Sequence, residues 1–444
     1  MGKSKGCAYL MDMGTGKTIT TIAVAGAMFY QRKILKLLVV APKSIVDVWE
    51  EEFSRFAAFP YSLAVLDGTG EKKADTIRNM LGTGLQVIVV NYESCWRLEA
   101  ELTRWQPDMI VCDESSKIKN AQAKCSKALH HLGKLSSYNL ILTGTPITNS
   151  PLDFFSQYKF LDESIFGSSF YSFRSHYAIM GGYQQHQIVG YKHLAELVSK
   201  AHSIAYRIRI DEAVELPEFV DEIRPVKLEK KAQAIYDGIS KDSYAELSTG
   251  EITTRNVLTQ LLRLSQCTGG FVRNDEGGDA FQISTAKLEA LEDILDSSID
   301  AGKKVVVFAR FVPEIDAIDR MLTKKGIGHS IIKGDVTDRA EQVQAFQTDP
   351  DTKVFVGQLA TTGMGLTLTA GTVAVYYSLD FSYANYEQSR ARIRRIGQTQ
   401  RGVYIHLVAK GTIDEHIMSA LQHKGDIAKL VVDNYQTILG GKTI

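Results

Sequence analysis

The stretch MDMGTGKT, residues 11–18, places two glycines, a lysine and a threonine just ahead of a helical pattern that runs from Thr18 to Tyr30. Gly14 and Gly16 free the backbone to turn its amides toward an anion, and the helix that follows presents its positive end to the same point. In such a loop Gly14, Thr15 and Gly16 would wrap a nucleotide's phosphates. Lys17 would meet the β- and γ-phosphates, and the Thr18 hydroxyl would hold magnesium. The strict phosphate-loop pattern asks for a further glycine at position 11, where Met11 stands, so only its core is present. A plain glycine turn opening a helix, with Lys17 in water, is the simpler reading of the same residues.

A second stretch, MIVCDESS, ends an apolar run on Asp113 and Glu114. Carboxylates at the end of a buried strand are costly unless a cation meets them. Asp113 can hold magnesium, directly or through water, and Glu114 can polarise an attacking water. Alone, two such acids read equally as a helix cap. LTGTPITNS, residues 142–150, leaves another apolar run for a Thr/Gly/Pro turn, whose hydroxyls could sense the acidic pair or simply cap a turn. Near the end, QSRARIRRIGQ gathers Arg390, Arg392, Arg394 and Arg395. On a helix Arg392 and Arg395 share one face, and Arg390 and Arg394 lie nearly opposite.

The elements that must carry these residues alternate between short β-rich runs and longer amphipathic ones. KLLVVAP (36–42), LQVIVVN (85–91), MIVCDES (109–115) and YNLILTG (138–144) read as strands buried on both faces. The texture returns in KVVVFAR (304–310), KVFVG (353–357), TVAVYYS (372–378) and VYIHLVA (403–409). Two doubly wound α/β lobes follow, 1–215 with an irregular or helical insertion near 151–203 and 216–444 with a helical insertion near 228–272. AYRIRIDEAVELPEF predicts a strand with Tyr206, Ile208 and Ile210 on one side. Arg207 and Arg209 lie on the other and are expected to pair with Asp211 and Glu212. NDEGGDA (274–280) reads as a mobile loop.

The 51 basic residues balance 51 acidic ones, which excludes a chain coated in positive charge but not a basic groove on a neutral body. The five cysteines form no C-x-x-C pair, and the ten histidines show no metal-ligand spacing. Neither a disulfide framework nor a zinc site is expected. No apolar run approaches the roughly 20 residues of a membrane span, and no signal peptide is visible. A monomer in a reducing cytosol is the expectation.

Taken in order, MGTGKT, VVAPKSIVDVWEEEF, DESS, LTGTP, TTGMGLTLT and QSRARIRRIGQ follow the motif order of the superfamily-two helicases, and in detail the chain resembles the Swi/Snf-type DNA translocases. Trp49, RIRIDEAVELPE (207–218), Gln388, Arg392, Arg395, Ile396, Gly397 and Gln398 carry the resemblance. It implies two RecA-like parallel-sheet lobes with helical insertions, and ATP hydrolysis with magnesium that drives movement along double-stranded DNA, forked DNA included. It assigns Glu114, Gln388, Arg392 and Arg395 to catalysis, with the two arginines reaching across a cleft to the triphosphate. It assigns Gly14, Thr15, Gly16, Lys17, Thr18 and Asp113 to the nucleotide, with Thr18 and Asp113 on magnesium. Lys43, Ser44, Asn91, Thr361 and Thr362 are its DNA contacts, with Tyr92, Lys333 and Gly363 beside them, while Trp49 is expected to pack rather than stack on a base.

The chain departs from the family pattern in places. Ser116 stands where a histidine is usual, and DFSYANYEQ replaces a Trp-Asn-Pro step, which points toward compact bacterial or phage members. IKN (118–120) and VYIHLVAKGTIDEHI (403–417) are similar to the annealing-helicase branch. Thirteen residues precede Gly14, so the family's upstream adenine-binding glutamine is expected to be missing, supplied elsewhere or cut away. Two further readings stay open, a strand-separating DNA or RNA helicase of the same superfamily and a nucleotide-gated binding switch that does not move along DNA.

Overall fold

The structure, a computed structural model, describes residues 4–182, 187–248, 254–273, 280–334, 336, 338–362 and 366–433. Contacts divide the chain into two compact units: one runs to Val214 and resumes at Lys424, and the other is Glu215–His423.

Each unit is a parallel α/β sheet. In the first, β1 (Gly6–Met11), β2 (Lys36–Ala41), β3 (Tyr61–Val65), β4 (Leu85–Asn91), β5 (Met109–Asp113) and β6 (Tyr138–Thr143) precede a small hairpin of β7 (Ala178–Gly181) and β8 (Gln187–Tyr191). β9 (Ala205–Ile208) then completes a seven-stranded sheet of order β3-β4-β2-β5-β6-β1-β9. Buried Val, Leu and Ile point to both faces. Leu38 and Val40 of β2 join one apolar cluster while Leu37 and Val39 join the other. Each such side chain contributes roughly 1.5–3 kcal/mol by leaving water.

The second unit holds β10 (Phe219–Val226), the β11 (Phe271–Arg273) and β12 (Ala280–Gln282) hairpin, β13 (Lys304–Ala309), β14 (Gly328–Ile332), β15 (Thr352–Gln358), β16 (Gly371–Tyr376) and β17 (Gly402–Ala409). Its main sheet has the order β10-β17-β16-β13-β15-β14. Val306 and Phe308 face one core, and Val305, Val307 and Ala309 the other. Among the described residues, no helix is long and apolar enough to cross a membrane.

The observed elements change several expectations. The described part of the region 151–203 contains three α-helices, Phe154–Leu161, Phe170–Tyr177 and Leu194–His202, around an aromatic cluster in which the Phe166 and Phe173 ring centres lie 5.0 Å apart. Helices Lys230–Ser248 and Thr254–Thr268 occupy the second predicted insertion. The strand predicted through Ile210 stops at Ile208, and Ile210–Ala213 turns helical. Residues 216–444 do not all stay in one unit. The chain from Lys424 packs with the first, where Val431 and Val432 are buried in its core. Six of the seven residues of the NDEGGDA loop, 274–279, lie outside the described residues.

Candidate nucleotide and nucleic-acid sites

In the first unit the candidate residues gather where strands of a parallel sheet end, the usual ligand edge of such a sheet. β1, β6 and β5 are neighbours, with Leu10 beside Thr143 and Leu142 beside Asp113. Their carboxyl ends therefore bring the phosphate loop, LTGTP and the acidic pair to one rim.

The loop has the backbone that anion binding needs. Gly14 and Gly16 have φ of 78° and 89°, a region that only glycine enters without strain, and Gly16 caps helix Lys17–Tyr30. The Lys17 ammonium donates to the Met11 carbonyl at 2.9 Å and to the Asp12 carbonyl at 3.1 Å. Thr15 Oγ1 donates to the same Asp12 carbonyl at 2.7 Å, and Thr18 sits half-buried in the first turn of the helix. Gly144 explains the close approach of LTGTP, since a Cβ there would lie 3.3 Å from the Met11 carbonyl oxygen.

Asp113 and Glu114 are both nearly buried, at 7% and 8% exposure. Trp49 Nε1 donates to Asp113 Oδ2 at 3.1 Å, the Glu114 amide donates to Asp113 Oδ1 at 2.9 Å, and Tyr92 donates its hydroxyl to the Asp113 carbonyl at 2.7 Å. Burial first, and the neighbouring Glu114 second, push the Asp113 carboxyl up to about 7, against the pull of the Lys17 charge. Glu114 adopts a left-handed backbone, φ 51°, a strained state of the kind that collects at working sites. Its Oε2 is buried and has no hydrogen-bond partner among the described residues, and the same holds for Thr145 Oγ1. Buried polar atoms are nearly always satisfied, and these two leave hydrogen-bonding capacity open just after β5 and β6. An oxygen-rich set of Thr18 and Asp113 beside Lys17 suits magnesium and a polyphosphate.

The expected DNA contacts divide. Lys43 and Ser44 are exposed, in a short turn directly after β2. Asn91 is buried and its side chain accepts from the Ser94 amide at 2.8 Å, so it caps helix Tyr92–Arg97. Trp49 is 1% exposed and packs with Phe53. Two signals escaped the sequence reading. Trp49 and Tyr92 both reach Asp113 from the helices that follow β2 and β4, the strands whose ends carry candidate DNA residues, and neither contact follows a short motif.

In the second unit helix Tyr383–Ile393 carries the arginines, but it ends before Arg394. Arg392 and Arg395 nevertheless converge, because Arg395 lies in the turn beyond. Each donates Nη1 to the Leu366 carbonyl, at 3.4 and 3.3 Å, and Arg395 also reaches Thr367 Oγ1 at 2.9 Å. Burial pulls the Arg395 guanidinium below its ordinary value. Gln388 is buried one turn before Arg392.

The turn holding Arg395 is stapled by Gln398, whose amide donates to the carbonyls of Gly371 at 3.0 Å and Thr369 at 3.1 Å. Arg390 serves the fold instead. It grips Asp221 with both terminal nitrogens and lies 3.9 Å from the centre of the Tyr404 ring, while Arg394 donates to the Pro217 carbonyl. Thr361 sits half-buried after β15 with its hydroxyl on the Gln358 carbonyl at 3.0 Å. The Thr362 side chain and Gly363 lie outside the described residues. Lys333 pairs with Asp316 at 2.9 Å. Arg209 pairs with Glu212 as expected, whereas Arg207 pairs with Asp12 and Asp433. The strand carries it inward toward the phosphate loop.

Two family models match this chain: the SNF2-related domain over residues 2–269 and the helicase conserved C-terminal domain over residues 286–397. The chain belongs to the SNF2-related family. Among curated proteins it is similar to the chromodomain-helicase-DNA-binding protein 1-like of Danio rerio, 26% identical over 98% of this chain and 42% of that one. It is also similar to the DNA repair and recombination protein RAD54-like of Gallus gallus, 25% identical over 98% of this chain and 65% of the relative, and to the ISWI chromatin-remodeling complex ATPase ISW1 of Saccharomyces cerevisiae, 25% identical over 99% and 40%. The chain thus spans between two fifths and two thirds of these relatives. A solved structure, the Sulfolobus solfataricus SWI2/SNF2 ATPase core in complex with dsDNA, matches over 98% of this chain and 90% of that one, at 25% identity and a TM-score of 0.43.

Proposed function

We propose that the chain is an ATP hydrolase that converts turnover into movement along double-stranded DNA. The observation that carries this reading is the buried Glu114 Oε2 beside Asp113, without a hydrogen-bond partner among the described residues, on the rim that holds Lys17 and the two left-handed glycines. A switch that only binds nucleotide needs the loop but not a desolvated general base, so the hydrolytic reading is favoured. Family membership and the relatives, an ATPase, a DNA-binding helicase and a recombination protein, support the same class.

In this proposal the loop amides and Lys17 hold the β- and γ-phosphates, and Glu114 orients and deprotonates water. Magnesium, held by Thr18 and Asp113, would neutralise charge on the phosphate oxygens. Arg392 and Arg395 are assigned to the charge that develops on the transferred phosphoryl group, a role worth roughly 10³–10⁵ in rate, with Gln388 supporting them. Lys43, Ser44, Thr361 and Thr362 are assigned to DNA phosphates, contacts that carry no sequence preference. Asn91 contributes there through the helix end that it caps.

The test is the hydrolysis rate with single-stranded DNA, duplex DNA, forked DNA and RNA at stated salt, together with displacement of a third strand from duplex DNA. Strong stimulation by duplex and third-strand displacement without unwinding are expected. Unwinding of plain duplex would favour the strand-separating reading, and turnover indifferent to nucleic acid would reject both.

A further inference from the structure

The first unit also holds a segment that this chemistry does not use. Lys429–Asp433 forms a wide helical turn whose Val431 and Val432 are buried, and His202 meets the Val431 carbonyl. Asp433 then presents its carboxylate to Arg207, with Nε 2.8 Å from Oδ1. The far edge of the same guanidinium acts elsewhere. Arg207 Nη1 donates to Asp12 Oδ1 at 2.6 Å and to the Leu10 carbonyl at 2.9 Å. Asp12 Oδ2 accepts from the Ile210 amide at 2.9 Å. The backbone of Asp12 faces the other way, its carbonyl taking Thr15 Oγ1 and the Lys17 ammonium.

We propose that Asp433 and Arg207 are positioning residues that set the phosphate loop through Asp12. The inference rests on the nucleotide-binding reading of that loop. A guanidinium is a rigid plane with donors along two edges. Fixing the Nε edge on Asp433 fixes where Nη1 points, and Nη1 locates Asp12, whose carbonyl orients Lys17. Arg207 is only 10% exposed in its side chain. Burial opposes its charge, and the two carboxylates more than offset this, so the arrangement is held from both sides. Lysine, a point charge on a flexible stem, could meet one acid but not orient the second. A residue 226 positions from Arg207 in sequence therefore reports on the loop, and drawing this segment away slackens the grip on nucleotide.

The experiment compares Asp433→Asn, Asp433→Glu, Arg207→Lys and Lys17→Ala in the full chain. It measures KM for ATP against kcat, and amide hydrogen exchange over residues 12–18. For Asp433→Asn and Arg207→Lys we expect KM to rise about tenfold, with kcat within about twofold and faster exchange in the loop. Asp433→Glu should recover most of the lost affinity. Unchanged KM and unchanged loop exchange in Asp433→Asn would overturn the proposal, because a merely structural contact leaves both alone. If Asp433→Asn does not fold, Arg207→Lys and Asp433→Glu decide on the same two readouts. Lys17→Ala separates the two ideas. Intact hydrolysis there rejects the nucleotide reading itself, whereas lost hydrolysis with an unaffected Asp433→Asn rejects only the positioning role.

Discussion

At the scale of single residues, two buried glutamates bear opposite burdens. Glu114 keeps an oxygen at the rim of the loop with no hydrogen-bond partner among the described residues, and the attacking water is assigned to it. Glu114→Gln should leave nucleotide affinity near wild type and lower hydrolysis by about 10²–10⁴, as read by a fluorescent nucleotide and by phosphate release. Equal losses of affinity and rate would move Glu114 from chemistry to binding. Glu314 lies in the second unit, fully buried, taking the amides of Arg310 and Phe311 at 3.1 and 3.0 Å and leaving Oε1 unpartnered among the described residues. Burial pushes its carboxyl up to about 7.

The sign for Glu314 follows from proton counts. Between the ordinary carboxylate range and pH 7 the folded state holds a proton that the unfolded state has released, so stability falls as pH rises through that window. Glu314→Gln has no proton to lose. It should be the more stable protein at pH 8 by about 2–3 kcal/mol, with the gap closing toward pH 4.5. Parallel denaturation curves for the two proteins across this range would contradict the assignment.

At the scale of elements, the first sheet lines up two kinds of chemistry along one rim. β4 and β2 end in Asn91 and in the Lys43 turn, and β5, β6 and β1 end in the acidic pair, LTGTP and the phosphate loop. Helix Val46–Phe56 starts just after Lys43–Ile45 and delivers the Trp49 N–H to Asp113. Trp49→Phe keeps the ring packing but removes that donor, which helps to hold the Asp113 carboxyl charged. The magnesium concentration for half-maximal hydrolysis should rise about fivefold, equivalent to about 1 kcal/mol. An unchanged magnesium dependence would reduce Trp49 to a packing residue.

Most strands legible in advance were buried on both faces, β2, β4, β5, β6, β13, β15, β16 and β17, because their apolar runs are continuous, and edge strand β9 was legible from its alternation. β3, β10 and β14 escaped notice because each is an edge strand, packed on one side, with residues such as Ser62, Asp221 and His329 breaking the run. The loop and acid motifs were legible because their chemistry is local in sequence. The partners of Arg207 were not, since Asp12 and Asp433 lie 195 and 226 residues away. Spacing alone suggested the nearby Asp211 and Glu212.

At the scale of the whole molecule, the chain is two parallel-sheet units, and the residues assigned to hydrolysis in the proposal are divided between them. Helical periodicity grouped Arg392 with Arg395 for an incomplete reason. The helix stops at Ile393, and it is Gln398, stapled to Gly371 and Thr369, that folds Arg395 back beside Arg392 at the Leu366 carbonyl. Arg390, bound to Asp221 and laid on Tyr404, belongs to the scaffold. The most direct measurement is therefore hydrolysis by Arg395→Ala with saturating duplex DNA, beside its affinity for nucleotide. Near-normal nucleotide binding is expected, with duplex-stimulated turnover lowered by about 10³ or more. Wild-type turnover in that variant would contradict it.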